Sequence, residues 1–296
     1  MTFAICRWVP DFSDSAIQQL AQEGVTAVEP GPDFLYRNSG STTGPEAGKL
    51  RRAGIRIYSC HAPFEKEDDL SILDEAKRKA TVERHKVALS QTAAAGGEVL
   101  VIHPSTGVKA EEREKRREKL IASLDQLVPA AERSGVKLAL ENMIPNYIGQ
   151  DASSLRSLIA HYASPFLRVC FDTGHANLCQ EGIHDCFDAV KDLTIVMHLH
   201  DNDGHQDRHL QPPYGIIDWN RLCRQIEECG YAYPLSIETP PWAKASWAMQ
   251  LREIEALFSG RVMSVQWNGR TVRMICERCR HFCISTDNGI ACACSS

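Results

Sequence analysis

Several features are scarce in this sequence, and each absence argues against a class of protein. No apolar run approaches the roughly 18 residues that a membrane-spanning helix needs. The N-terminal residues contain no basic segment followed by a long apolar one, so we expect a cytoplasmic protein without a secretory leader. Positive charge is not in excess: 33 Lys and Arg stand against 38 Asp and Glu, and the net charge of −5 disfavours nucleic acid as a partner.

The composition that remains is that of an ordinary globular protein. The chain has 296 residues, of which 43% are hydrophobic and 24% charged, enough for one large α/β domain or two small ones. Eight short strand-like runs alternate with stretches of helical periodicity. These runs are Thr2–Val9, Val25–Glu29, Ile55–Cys60, Glu98–Ile102, Lys137–Leu140, Leu167–Phe171, Ile195–Leu199 and Pro234–Ile237.

An eightfold alternation of strand and helix over about 260 residues predicts a (β/α)₈ TIM barrel at residues 1–260. A doubly wound sheet is the alternative. No glycine-rich turn follows the first predicted strand, which weakens that alternative, and we expect no organic cofactor.

The third to eighth predicted strands each end in a metal-ligating type of residue. These residues are His61, His103, Glu141, Asp172, His198 and Glu238. Their spacing of 26 to 42 residues delivers one such side chain per βα unit to the carboxyl-terminal rim of a barrel, where TIM-barrel active sites lie. Carboxylates and imidazoles converging on one rim would repel each other or lose solvation without a cation. The sequence therefore predicts a divalent metal ion, with Zn, Mn, Co and Fe all suited to mixed His and carboxylate ligands.

The sequence resembles the xylose isomerase-like TIM barrel superfamily, which contains sugar isomerases and epimerases and the endonuclease IV type of apurinic/apyrimidinic endonuclease. The resemblance runs from about Val25 to Pro240. It rests on His61-Ala62-Pro63, Leu140-Glu141-Asn142, Asp172-Thr173-Gly174-His175, His198-Leu199-His200-Asp201-Asn202, Asp207-Arg208-His209 and Ile237-Glu238-Thr239-Pro240.

The resemblance implies a role for individual residues. In the epimerases four residues hold a single ion, and the matching positions here are Glu141, Asp172, His198 and Glu238. The resemblance implies that the two glutamates are also the catalytic proton-transfer groups. His61, Asn142, His175 and Trp219 are candidates for substrate binding. The trinuclear zinc cluster of the endonucleases would add further ligands at His61, His103, His175, Asp207 and His209.

Three functions therefore stay open. We favour a metal-dependent isomerase or epimerase of a small sugar or related polyhydroxy carbonyl compound, acting by abstraction of the proton α to the carbonyl. A multinuclear zinc phosphodiesterase acting on abasic DNA is the alternative, but Glu141-Asn142 runs into Met143-Ile144-Pro145 where the endonucleases have Thr-Ala-Gly. A lyase or dehydratase starts from the same proton abstraction. The sequence leaves substrate identity and oligomeric state open.

The C-terminal residues 261–296 form a separate, cysteine-rich tail. Alternation around Asn268-Gly269 predicts a β-hairpin. Five of the 12 cysteines follow it: Cys276, Cys279, Cys283, Cys292 and Cys294. The Cys-x-x-Cys pair is typical of a zinc ribbon, whereas the Cys-x-Cys pair is not. A metal-binding appendage and a redox-active or flexible tail are equally consistent with this pattern.

Overall fold

The architecture comes from a computed structural model of the chain. It describes residues 2–6, 12–36, 44–240 and 246–259 with their side chains, and the backbone of 264–267, 272–275, 282–286 and 289–291. Among these residues, no helix combines the length and apolar character needed to cross a bilayer.

Nine parallel strands form one sheet that curves into a barrel. In chain order they are β1 (Phe3–Cys6), β2 (Ala27–Glu29), β3 (Arg56–Ile57), β4 (Ser59–His61), β5 (Val99–Ile102), β6 (Lys137–Glu141), β7 (Leu167–Asp172), β8 (Thr194–Leu199) and β9 (Leu235–Ile237). The spatial order is β3-β2-β1-β9-β8-β7-β6-β5-β4.

The two strands at the ends of that order are halves of one predicted strand. Tyr58 separates β3, which pairs with β2, from β4, which pairs with β5. The His61 amide also donates to the Pro30 carbonyl at 2.9 Å, so β4 returns to the chain just after β2. The predicted eight-stranded TIM barrel is therefore confirmed, with its third strand broken in two.

Helices surround the sheet and bury its outer face. They are α1 (Asp14–Gln22), α2 (Pro32–Tyr36), α3 (Gly44–Arg52), α4 (Glu75–Ala95), α5 (Arg113–Ser134), α6 (Ala152–Tyr162), α7 (Thr173–Leu178), α8 (Ile183–Val190), α9 (Trp219–Glu228) and α10 (Trp247–Phe258). Ser13, Asp151 and Asp218 cap α1, α6 and α9 through their side chains. The strand interiors are almost wholly apolar and buried, as expected for a parallel sheet covered by helices.

A four-stranded antiparallel sheet follows the barrel. It comprises β10 (Ser264–Trp267), β11 (Val272–Ile275), β12 (Phe282–Thr286) and β13 (Gly289–Ala291), in that spatial order. β10 and β11 pair in antiparallel register, while the turn of the predicted hairpin at Asn268-Gly269 lies outside the described residues. Cys276, Cys279, Cys292 and Cys294 lie outside the described residues, as does the side chain of Cys283, so metal binding by the tail stays a prediction.

A buried ionic network joins the loops that follow β4 and β5, next to the carboxyl-terminal rim. Asp69 is 4% exposed and accepts hydrogen bonds from the Ser71 hydroxyl at 2.7 Å and the Thr106 hydroxyl at 2.6 Å. The Arg116 guanidinium pairs with the same carboxylate and donates to the Gly107 carbonyl at 3.1 Å. Burial by itself raises the pKa of Asp69, but these hydrogen bonds and the Arg116 charge bring it below its ordinary value.

We expect Asp69→Asn to lower the free energy of unfolding by about 3 kcal/mol at pH 7, because Arg116 is then left buried without its counter-charge. The pKa of the folded state lies below that of the unfolded chain, so this stabilisation is complete above about pH 4 and is lost as the pH falls through the lowered value. Urea unfolding of both proteins from pH 7 to pH 3 measures the difference. Asp188→Asn, which breaks an exposed ion pair with Lys191, is the control and should change little; equal losses in the two variants would contradict the prediction.

Candidate metal centre and active site

Four buried side chains meet at the carboxyl-terminal rim of the barrel. Glu141 ends β6, Asp172 ends β7, His198 lies near the end of β8 and Glu238 follows β9. None is more than 2% exposed, and their ligand atoms all lie within 4.8 Å of one another. The structure thus brings together the four residues that the sequence predicts to hold a single ion.

The imidazole of His198 shows how this set fits a cation. Its Nδ1 lies 3.0 Å from Glu238 Oε2, 3.5 Å from Glu141 Oε1 and 3.9 Å from Asp172 Oδ2. Among the described residues, none of these contacts has the geometry of a hydrogen bond, so this buried nitrogen is left for another partner. Three carboxylates around one imidazole, shielded from water, form the mixed donor set that suits Zn²⁺, Mn²⁺, Fe²⁺ or Co²⁺.

Two further histidines converge on Glu141 from the neighbouring strands. His103 Nε2 lies 3.1 Å and His61 Nε2 lies 3.4 Å from Glu141 Oε2. Burial by itself raises the pKa of the Glu141 carboxyl, but the facing imidazoles of His103 and His198 hold it well below its ordinary value. Burial lowers the pKa of His103 in turn, in spite of the adjacent Glu141. The ring of Phe64 packs against both histidines, with ring centroids 5.0 Å from His61 and 5.2 Å from His103.

The long loop between β8 and α9, residues 200–218, supplies the other side of the cluster. Asp207 Oδ2 lies 3.5 Å from His175 Nε2 and 3.2 Å from His209 Nε2. Although burial by itself would lower them, the facing carboxylates raise the pKa of His175 to about 10 and that of His209 to about 9. His209 Nδ1 lies 2.9 Å from the Glu238 carbonyl, which fixes the loop against β9. The structure thus places Asp207 and His209, which the resemblance to the endonucleases implies as further ligands, beside Glu238 at the rim.

The two carboxylate oxygens of Asp172 make different contacts. Its Oδ1 caps α7 by accepting from the His175 amide at 2.7 Å, while Oδ2 lies 3.9 Å from His198 Nδ1. His200 Nε2 lies 2.9 Å from Oδ1 and 3.0 Å from Oδ2 of the same carboxylate. The His200 ring is fully buried and stacks on His209 with centroids 4.0 Å apart. Capping and the His200 contact together fix the direction in which Asp172 points.

Gly174 makes the space that His200 occupies. A Cβ atom at this position would lie 1.9 Å from His200 Cε1, so Gly174→Ala must displace the ring and its contact with Asp172. We expect the variant to bind Mn²⁺ or Zn²⁺ about 10- to 100-fold more weakly, the usual cost of losing a residue that orients a metal ligand. Metal competition against a chromophoric chelator measures this loss.

Gly48→Ala provides the matched control for this substitution. A Cβ at Gly48, in α3, would meet only the flexible end of Arg52 at 3.4 Å. Alanine also favours the helix, so this variant should keep the wild-type metal affinity and be slightly more stable. Wild-type metal affinity in Gly174→Ala would show that the position of His200 is irrelevant to the site.

Two predicted substrate-binding residues have their polar groups engaged with the protein. Asn142 Nδ2 donates to the Asp172 carbonyl at 3.0 Å, and Asn142 Oδ1 accepts from the Asp172 amide at 2.7 Å. Trp219 is 3% exposed and its indole N–H donates to the buried Asp201 carboxylate at 2.7 Å. Asp201 also accepts from the Asn202 amide at 2.8 Å, so it holds the start of the long loop. That indole N–H is therefore not available to a substrate hydroxyl.

The first two strands also end at this cluster, which the sequence analysis overlooked. Glu29 ends β2 and Cys6 ends β1; both side chains are fully buried, and Glu29 Oε1 lies 2.8 Å from His198 Nε2. Burial and the adjacent Glu29 raise the pKa of the Cys6 thiol well above its ordinary value. The rule that singled out strands three to eight, a polar residue directly after an apolar run, also applies to Val25–Glu29 and would have found Glu29.

The fold agrees with the comparisons to known proteins. The chain belongs to the xylose isomerase-like TIM barrel family, whose sequence model matches residues 17–254. An uncharacterised protein of Sinorhizobium fredii is 27% identical over 263 residues, 79% of this chain and 83% of that protein.

Relatives with named activities are similar over varying lengths. A structure described as a D-tagatose 3-epimerase-like protein superposes with a TM-score of 0.76 and 25% identity, over 88% of this chain and 97% of its own. Fructoselysine 3-epimerase of Escherichia coli O157:H7 is 28% identical over 122 residues, 40% of this chain and 44% of the enzyme.

Proposed function

We propose that this protein is a divalent-metal-dependent isomerase or epimerase of a small sugar or related polyhydroxy carbonyl compound. The observation that carries the proposal is the convergence of Glu141, Asp172, His198 and Glu238 on one buried point at the catalytic rim of the barrel. The similarity to a protein described as D-tagatose 3-epimerase-like and to fructoselysine 3-epimerase supports the choice of substrate class.

The residues of the set divide the chemistry between them. Asp172 and His198 would hold the ion together with the two glutamates, and a bound divalent ion polarises a substrate carbonyl as a Lewis acid. One glutamate would then accept the proton from the carbon next to the carbonyl; the C–H electron pair forms the C=C bond, and the carbonyl π pair moves to oxygen to give an enediolate. The other glutamate, in its protonated form, returns a proton to the opposite face or to the adjacent carbon.

The topology of the barrel suits a mechanism in which one glutamate accepts a proton and a second glutamate returns one. Glu141 and Glu238 come from β6 and from the segment after β9, and β7 and β8 lie between these strands in the sheet. The carboxylates therefore enter the cluster from separate sides, with His198 between them. Phe64 and the histidines beside it form an apolar and imidazole wall on the Glu141 side.

Solvent exchange tests the proposed function directly. We expect the manganese-loaded protein to incorporate deuterium from D₂O at the carbon next to the carbonyl of D-tagatose, D-psicose, D-fructose or L-ribulose, and to form the corresponding epimer or isomer. Proton NMR measures both the exchange and the product. Absence of exchange with every sugar in the presence of metal would contradict the proposal, and formation of a dehydrated product instead would indicate a lyase.

A second candidate function rests on the extended cluster. His61 and His103 join Glu141, and His175 joins Asp207 and His209, so two further groups of ligand-type residues adjoin the four-residue set. Such a site with three zinc ions would activate water for phosphodiester hydrolysis. Elemental analysis separates the candidates: about one ion per chain supports the isomerase, whereas about three ions with cleavage of an abasic DNA duplex supports the hydrolase.

A further inference from the structure

Glu29 is a fully buried carboxylate at the base of the candidate metal centre. It lies at the end of β2, where it is in register with Cys6 of β1. Burying a carboxylate is costly unless hydrogen bonds or opposite charges compensate it. Its oxygens therefore need partners from the residues around it.

Four side chains from four strands supply those partners. Oε1 accepts from the Cys6 thiol at 3.1 Å and lies 2.8 Å from His198 Nε2. Oε2 accepts from the hydroxyl of Ser59 and, at 3.3 Å, from that of Ser236. Each donor reaches Glu29 from a different strand, so the carboxylate has a single orientation in the closed barrel.

This arrangement determines which nitrogen of His198 faces the candidate ion. Hydrogen bonding to Glu29 places a proton on Nε2, since a carboxylate only accepts. Nδ1 is then the nitrogen directed at Glu141, Asp172 and Glu238. A histidine that binds a metal through one nitrogen and donates to a carboxylate through the other is held in one ring orientation and becomes a stronger ligand.

We infer that Glu29 is a positioning residue for His198: it holds the imidazole with Nε2 protonated and so presents Nδ1 to a divalent ion. The inference rests on the proposed metal-dependent function for the identity of the ion. The hydrogen bond itself is independent of any activity. Glu29 touches none of the reacting atoms and acts through His198 alone.

Glu29→Gln is the informative substitution because it keeps the shape of the side chain and removes its charge. The Gln amide would offer His198 either a weaker neutral acceptor or a competing N–H donor. We expect the variant to bind Zn²⁺ about 10- to 100-fold more weakly. Glu253→Gln, at a buried glutamate on α10 that accepts from the Tyr214 hydroxyl at 3.0 Å, is the matched control and should keep the wild-type Kd for Zn²⁺.

The spectroscopic readout is the Nε2 proton of His198, observed by NMR with ¹⁵N-labelled histidine. In the wild-type protein we expect a downfield, slowly exchanging imidazole proton that is absent from His198→Ala. In Glu29→Gln it should move upfield and exchange faster with water. A merely structural role for Glu29 would lower stability without moving this signal.

The outcomes are distinguishable from those of the proposed function. A wild-type Kd for Zn²⁺ and an unchanged His198 signal in Glu29→Gln would overturn the inference, even if the protein epimerises sugars. A weakened Kd and a shifted signal would support it, even if no sugar reacts. If Glu29→Gln does not fold, Glu29→Asp is measured in its place, because it keeps the charge but withdraws the carboxylate from His198. Lack of the downfield signal in the wild-type protein would by itself overturn the inference.

Discussion

Replacing Glu238 by Gln is expected to reduce exchange of the substrate α-proton by about 10²- to 10⁴-fold, the usual contribution of a general base. Glu238 is 2% exposed and its carboxylate lies 3.0 Å from His198 Nδ1, so the amide occupies the same space but cannot accept a proton. Exchange of D-tagatose or D-fructose with D₂O, followed by proton NMR at saturating Mn²⁺, measures the loss.

Saturating metal is essential in this experiment because Glu238 has two proposed roles, as ligand and as base. Measuring the Kd for Mn²⁺ of the variant separates weaker metal binding from loss of proton transfer. Glu227→Gln changes an exposed glutamate on α9 and should exchange at the wild-type rate. Exchange retained in a fully loaded Glu238→Gln protein would refute the role of this carboxylate in proton transfer.

Divalent metal is expected to raise the thermal midpoint of the wild-type protein by about 5–10 °C. Binding at 100 times the Kd stabilises the folded state by about 2.7 kcal/mol, and each kcal/mol shifts Tm by roughly 2–4 °C in a chain of this size. The physical reason is the set of three buried carboxylates, whose mutual repulsion the ion relieves. Differential scanning calorimetry with EDTA, and then with added Mn²⁺, Co²⁺ or Zn²⁺, measures the shift.

His198→Ala is expected to abolish most of this metal-induced shift, because it removes the one imidazole of the four-residue set. His161→Ala, at an exposed histidine on α6, is the control and should respond to metal as the wild type does. A His198→Ala protein that gains as many degrees with metal as the wild type would place the ion elsewhere.

The barrel and its candidate ligands could be predicted from the sequence because both are encoded in short, local patterns of residues. A parallel strand covered by helices is an apolar run, and the residue after that run necessarily lies at the carboxyl-terminal rim. Glu141, Asp172, His198 and Glu238 are recognisable one at a time by this rule, and the resemblance to the epimerases groups them. This rule does not reach Asp207 and His209, because they lie in a loop well after β8; the resemblance to the endonucleases named them.

Interactions across the closed barrel could not be predicted in this way. The contact of Glu29 with His198 joins residues 169 positions apart, and that of Ser236 with Glu29 joins residues 207 apart. Trp219 shows the same limit: an aromatic residue at a helix start is a reasonable candidate for a substrate contact until the structure shows its N–H bound to Asp201. Gly174 likewise reads as part of a motif, whereas its function is to make space for His200.

The sequence by itself determined the order of strands and helices, the (β/α)₈ barrel and the set of ligand-type residues at its rim, because periodicity and strand ends are local properties of the chain. Only the tertiary structure decided which nitrogen of His198 faces the carboxylates and which oxygens of Asp172 His200 contacts. It also decided that Glu29 lies against the other nitrogen of His198. Those features depend on distances between side chains from different strands, and such distances are fixed only when the third strand closes the barrel.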